Sequence, residues 1–275
     1  SVDSENNTNW DFGLKTWTNS DSDNDCNNAN NWSPSGVPGS NDAIILDDTS
    51  TGNLTWSSSC SHSVAKWTQT ADYTGTVTIQ TTFVGGAFPI FNVTDNMTIS
   101  GGTLKHLDNS TAETSRLRID VDGNFEVGSA ATINANYIGY DQTRGPGACT
   151  NGGDGGAADH GGRGASQFSF RGSGVYGSYL EPTNLGSGGC RSTGGDGGGA
   201  VYITATGATT INGAIEADGQ DPGGYAGGGA GGSVYIKTNT LSGSGTIQAN
   251  GGDSPSSYRV GGGGGRVAVI VEGSN

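Results

Sequence analysis

At 275 residues, with 52 glycines and 31% apolar residues, the chain can close one thin, elongated core or two small ones, and its apolar runs are too short and broken to span a membrane as helices. Its net charge of −14, from 12 Lys and Arg against 26 Asp and Glu, argues against nucleic acid, whose affinity comes from basic side chains neutralising phosphates. The same charge suits a soluble or cation-binding surface. Four cysteines without a CxxC pair argue against zinc and for an oxidising compartment.

Residues 1–40 are rich in Asn, Asp, Ser and Trp, include Trp10, Trp17 and Trp32, and show no long periodic run. They read as an N-terminal cap over the first of a series of stacked strands. Ser1 in place of Met fits a mature product whose signal peptide is gone, or an excised segment. DSDNDC places Asp21, Asp23 and Asp25 at alternate positions, as a calcium loop does, yet Cys26 stands where an EF-hand needs Gly and Trp32 where it needs Glu. Calcium is therefore one reading of these residues, and the only cofactor the sequence offers; a solvated acidic turn is the other.

From Asp42 short strands succeed one another: AIIL, NLTW, SVAKW and GTVTIQTTFV. In FNVTDNMTI the alternation puts Phe91, Val93, Met97 and Ile99 inward and Asn92, Thr94, Asn96 and Thr98 outward. Asn-x-Ser/Thr triplets at Asn6, Asn53, Asn92, Asn96 and Asn109 are N-glycosylation candidates; chance supplies this number, and their confinement before Leu117 is the better hint.

An insertion at about 141–198 carries GPGACTNGGDGGAADHGGRGAS and YGSYLEPTNLGSGGC, and it matches the glycine-rich arms GQDPGGYAGGGAGG and GGDSPSSYRVGGGGG further on. A lone glycine arm has too much conformational entropy to hold a shape, so the arms are expected to lie side by side in extended or polyproline-like form. Ala157 and Gly199 stand where calcium-binding nonapeptides need Asp, and no phosphate-loop pattern occurs. Three cysteine pairings are open; Cys26–Cys60 and Cys149–Cys190 are favoured because each joins residues around one feature. Closing loops of 34 and 41 residues contributes roughly 3–4 kcal/mol each in the chain-entropy account.

Val201, Val234 and Val267 stand 33 residues apart, as do Ile203, Ile236 and Val269, and Tyr225 and Tyr258. Ile215 and Ala217 recur 32 residues on as Ile247 and Ala249. Val201, Ile203 and Ala205 alternate with Tyr202 and Thr204, which is strand period with one face buried. A unit that recurs this regularly pairs with its own copy in parallel. Ile119 and Ile133 are expected at the places of Ile203 and Ile215. The fold expected is all-β: a right-handed single-stranded parallel β-helix, or β-solenoid, of about seven coils over 41–275, with an N-terminal cap and stacked glycine arms.

NNWSPSGVPGSNDAIIL resembles the opening of secreted β-solenoid surface proteins. HGGRG, YGSYLEPTNLGSGG and the paired GGA/GGS-VYI repeats resemble, over about 150–271, the glycine-rich β-solenoid regions of large secreted surface proteins, adhesin-like and pectin-lyase-like β-helices among them. The resemblance implies the fold and an extracellular setting rather than a reaction.

Two function classes are consistent with these features. One is a non-enzymatic extracellular structural or adhesive protein, a filament or surface-layer subunit: Arg266–Val271 begins a new unit with a bare strand edge, which fits head-to-tail association with itself or with other surface proteins. The other is a carbohydrate-active protein, a lyase, hydrolase or polysaccharide-binding module, by fold analogy. Its groups would come from the insertion, which holds Arg144, Asp154, Asp159, His160, Arg163, Tyr176, Tyr179, Glu181 and Arg191. His160, Arg163, Tyr179 and Glu181 are the catalytic candidates, although a lone His among glycines is expected to be merely exposed.

Overall fold

The computed structural model describes residues 13–82, 87–149, 156–166, 172–253 and 260–273. Apart from one 3-10 turn at Ala29–Asn31, its regular structure is all β: β1 (Leu14–Trp17), β2 (Trp32–Ser33), β3 (Ala43–Leu46), β4 (Leu54–Trp56), β5 (Ser63–Val64), β6 (Lys66–Gln69), β7 (Thr76–Ile79) and β8 (Phe91–Val93). Then come β9 (Met97–His106), β10 (Leu117–Val121), β11 (Phe125–Asn134), β12 (Ala200–Ile211), β13 (Ala214–Glu216), β14 (Ser233–Ser242), β15 (Thr246–Gln248) and β16 (Arg266–Val271). All 16 join one curled sheet. Among the described strands only β1 with β2 is antiparallel; the other pairs are parallel.

The core is three columns of side chains, each set by the alternation of short apolar runs. Ile44, Trp67, Met97, Phe125 and Thr209 stack through β3, β6, β9, β11 and β12. Leu54, Val77, Leu104, Ile133 and Ile215 stack through β4, β7, β9, β11 and β13. Phe91, Ile119, Ile203 and Ile236 stack through β8, β10, β12 and β14. Every one of these side chains is fully buried. Trp17, Trp32, Trp56, Trp67 and Phe91 fill the core near β1 with edge-to-face contacts at 5.0–6.1 Å between centroids. β9, β11, β12 and β14 each run unbroken from one column into the next, and the register shifts at Val127/Ala130 and Ala205/Ala208 are where the sheet bends. Gly102, at φ +70°, takes the bend of β9.

The corners explain the abundance of Asn. Asn96 Oδ1 accepts the backbone N–H of Asn124 at 2.7 Å, and Asn124 Oδ1 accepts that of Ala208 at 2.8 Å. Asn136, Asp218 and Asn212 do the same for Asp218, Asn250 and Ser244. Each side chain supplies an acceptor that a turn in the next unit lacks.

The repeat register is as the spacing predicts: Val201, Val234 and Val267 are partners in sequence, as are Ile119 with Ile203 and Ile133 with Ile215. Tyr202 and Tyr235 stack at 4.7 Å and 20°. Tyr235 is nevertheless buried, so the outward row is covered rather than open. Within 13–40, β1 already pairs in parallel with β3, so this stretch joins the sheet as well as covering its end; four residues are too few for the periodicity to register in the sequence. Trp10, Asn6, Asp154 and Tyr258 lie outside the described residues.

The glycine arms pack against one another. In the arm 227–232, Gly228 and Gly231 donate to Val260 O and Gly263 O, Gly229 and Gly232 to Gln220 O and Ala217 O, and Ala230 to Ser187 O. The carbonyls of Gly227 and Ala230 accept from Gly195 and Gly198, three residues apart again. A partner that changes with each residue and returns every third is the period of a polyproline II helix, so this arm sits within a bundle of such segments. A Cβ on Gly195, Gly227, Gly229 or Gly262 would fall far inside contact distance of a neighbouring arm's carbonyl oxygen.

Candidate functional site

His160 lies inside the arm bundle, fully buried, contrary to the exposed position expected of it. Its Nδ1 is 2.7 Å from Gly231 O, and because a carbonyl can only accept, Nδ1 carries the proton. Its ring packs on Tyr176 at 4.6 Å, and the Tyr176 hydroxyl donates to Leu185 O at 2.6 Å and lies 2.8 Å from Ser187 Oγ. Buried Asp159 accepts from the N–H groups of Gly164 and Gly174. Burial lowers the His160 pKa to about 4 and raises that of Tyr176, so both are neutral at pH 7. His160 and Tyr176 thus pin three arms together with hydrogen bonds between uncharged groups. His106 plays the same part at the end of β9: Nδ1 donates to Leu107 O, Nε2 accepts the N–H of Ala200, and burial lowers its pKa to about 4.

The candidates His160, Arg163, Tyr179 and Glu181 stand in different surroundings, His160 being the buried one. Arg163 and Tyr179 are exposed, Tyr179 by 74%, while Glu181 accepts from the hydroxyl of Tyr202 at 3.1 Å. Arg144 is exposed too. An ionic cluster that the sequence reading missed lies beside them: Arg116 pairs with Glu113 at 3.0 Å and stands over the Phe88 ring at 3.8 Å, and Arg118 faces the Tyr202 ring at 5.3 Å. Burial pushes Glu113 up and Arg116 down. Arg118 and Tyr202 are register partners, but the insertion sets them 84 residues apart and hides the period.

Asp21, Asp23 and Asp25 form a turn whose acceptors are taken by amides. Asn28 Nδ2 donates to Asp21 and Asp23, Asn30 Nδ2 to Asp21, and Asn31 Nδ2 to Asp23. The bond from Asn28 leads those that hold Asp23 below the usual carboxylate range. Among the described residues, the one set of potential ligand atoms within 4.8 Å of one another is Asp25 with Cys26 and Cys60, and the two sulfurs are joined, so the three carboxylates do not converge as calcium requires. The disulfides are Cys26–Cys60 and Cys149–Cys190, in keeping with an oxidising compartment.

Of the glycan acceptors, Asn53 is exposed and Asn92 and Asn96 are half-buried. Asn109, by contrast, is buried: its Nδ2 donates to Ser115 O and Ile138 O and its Oδ1 accepts from Thr114 and Ser115, so a sugar on Nδ2 would break at least one of these bonds and have to enter the interior.

Two cavities, of about 380 and 570 Å³, share Tyr137 in their lining. A third, of about 360 Å³, lies at Thr204, Asn239 and the Lys237–Glu272 ion pair. No known protein family matches the chain, and neither a curated protein nor a solved structure matches it.

Proposed function

We propose that the chain is a right-handed parallel β-helix of a secreted surface protein of the glycine-rich β-solenoid kind, serving as a structural and adhesive module that associates end to end. The observation that supports this best is the difference between its ends. At the β1 end Trp17 and Trp32 are buried and the Lys15 ammonium donates to Pro34 O at 3.2 Å, closing the core with a polar group. At the other end β16 pairs with β14 alone among the described strands, and Leu241, Val267, Ile270 and Val271 are 38–46% exposed. An unpaired parallel edge flanked by apolar side chains is a template for another chain, and a contact between unlike ends need not close into a ring.

The test is sedimentation velocity over a wide concentration range. The full chain is expected to form oligomers that grow with concentration, and Val267→Lys to remain monomeric with an unchanged melting temperature. A full chain that stays monomeric at high concentration overturns the assembly reading.

A further inference from the structure

Tyr137 stands in the left-handed backbone region at φ +62°, an expensive place for an aromatic residue, held there by its N–H donating to Asp218 O at 3.0 Å. Its ring is 46% exposed and borders both the 380 and the 570 Å³ cavity. Thr132–Asn134 pairs with Ala214–Glu216, and that strand with Thr246–Gln248, so the counterparts of Tyr137 in the next two units are Gly219 and Gly251. Both line the larger cavity, where a Cβ on either would meet the carbonyl of Gly229 or Gly262 in a neighbouring arm, so the lining there is bare backbone beside one aromatic side chain. Asp218, Asp221, Asp253 and Asn250 rim this cavity, with no Lys or Arg among its described lining residues, whereas Lys105 lines the smaller one.

We infer that this groove binds a polymer of amino sugars, a chain of hydroxyl-bearing rings with protonated amines. A flat aromatic and bare glycine backbone accept the C–H faces of saturated rings, and the rim offers acceptors to hydroxyl and ammonium donors. No three carboxylates of the groove converge within 4.8 Å among the described residues, so they are spread for an extended ligand rather than gathered around one ion. Repulsion from the same carboxylates disfavours uronic acid polymers. The inference rests on the proposed adhesive role and gives it a ligand.

The test is calorimetric titration of the full chain at pH 6 and physiological salt with hexamers of glucosamine, N-acetylglucosamine and galacturonate. The glucosamine hexamer is expected to bind at least about tenfold more tightly than the other two. Tyr137→Asn, which suits the left-handed backbone and so preserves the fold, and Asp221→Asn/Asp253→Asn should each weaken it about tenfold or more. Asp95→Asn/Asp122→Asn removes the same charge at a different corner and should leave binding unchanged. An equal loss in that control reveals unspecific attraction and overturns the inference, as does preferential binding of either other hexamer. Absence of glucosamine binding in a chain that still self-associates overturns it while leaving end-to-end assembly standing.

Discussion

Gly229 shows what one missing Cβ does in this molecule. A Cβ there would collide with the carbonyl of Asp196, whereas one on Gly264 meets nothing within 4 Å. Gly229→Ala is expected to destabilise by about 3 kcal/mol and Gly264→Ala by close to nothing, read from denaturant midpoints. The histidines set the pH response. Both folded values, about 4, lie below the 6.5 of an unfolded histidine, so between these limits the unfolded chain binds more protons. Their contribution is complete above pH 6.5 and is lost as pH falls toward 4, at most about 3 kcal/mol for each ring. Asp196, raised to about 6 first by burial and then by Asp141, acts in the opposite sense, as do Asp108 and Glu113, both raised chiefly by burial; Asp196 is half-exposed and its effect is screened. Net stability should fall from pH 7 to 4.5 in urea titrations. His106→Gln, which keeps an acceptor for Ala200, should remove about half of that fall; an unchanged slope would show that burial of His106 does not govern it.

Among the elements, the arms are the least sheet-like and the most dependent on company. Among the described residues the arm 227–232 is held chiefly by backbone bonds to neighbours that change residue by residue, with side chains such as His160 and Tyr176 between arms. Such an assembly is sensitive to anything that frees one arm. The Cys149–Cys190 disulfide closes a 41-residue loop within the bundle, and replacing both cysteines by Ala should cost about 4 kcal/mol in the chain-entropy account, measured by thermal and denaturant unfolding. A cost near zero would mean that the arms order themselves without it. The strands behave differently, since each buries side chains against copies above and below, and their register survives the long insertion: Ile119 meets Ile203 across it.

Over the whole molecule, stability is a sum over stacked neighbours, so the two ends should open before the middle. β10 has strands on both sides, β8 and β12, whereas β16 has β14 alone among those described. Hydrogen exchange should therefore be faster in β16 than in β10, and protection of β16 should rise with protein concentration as copies associate. Equal, concentration-independent exchange in both strands would argue for a closed end.

The sequence by itself favoured the two disulfides that are found, and it determined the all-β character, the parallel pairing of the 33-residue units and the inward columns. These depend on local alternation and on exact recurrence, which are written along the chain. It also carried the polyproline-like arms, because glycine at that density has few other packed states. Only the tertiary structure decided what the polar residues do. His160 and Asn109 are buried, Glu113 meets Arg116 and Arg118 meets Tyr202, and Tyr137 lines one cavity with Gly219 and Gly251. The physical reason is that burial of a polar group depends on which partners arrive from other units and arms, dozens of residues away, and no local pattern encodes that arrival.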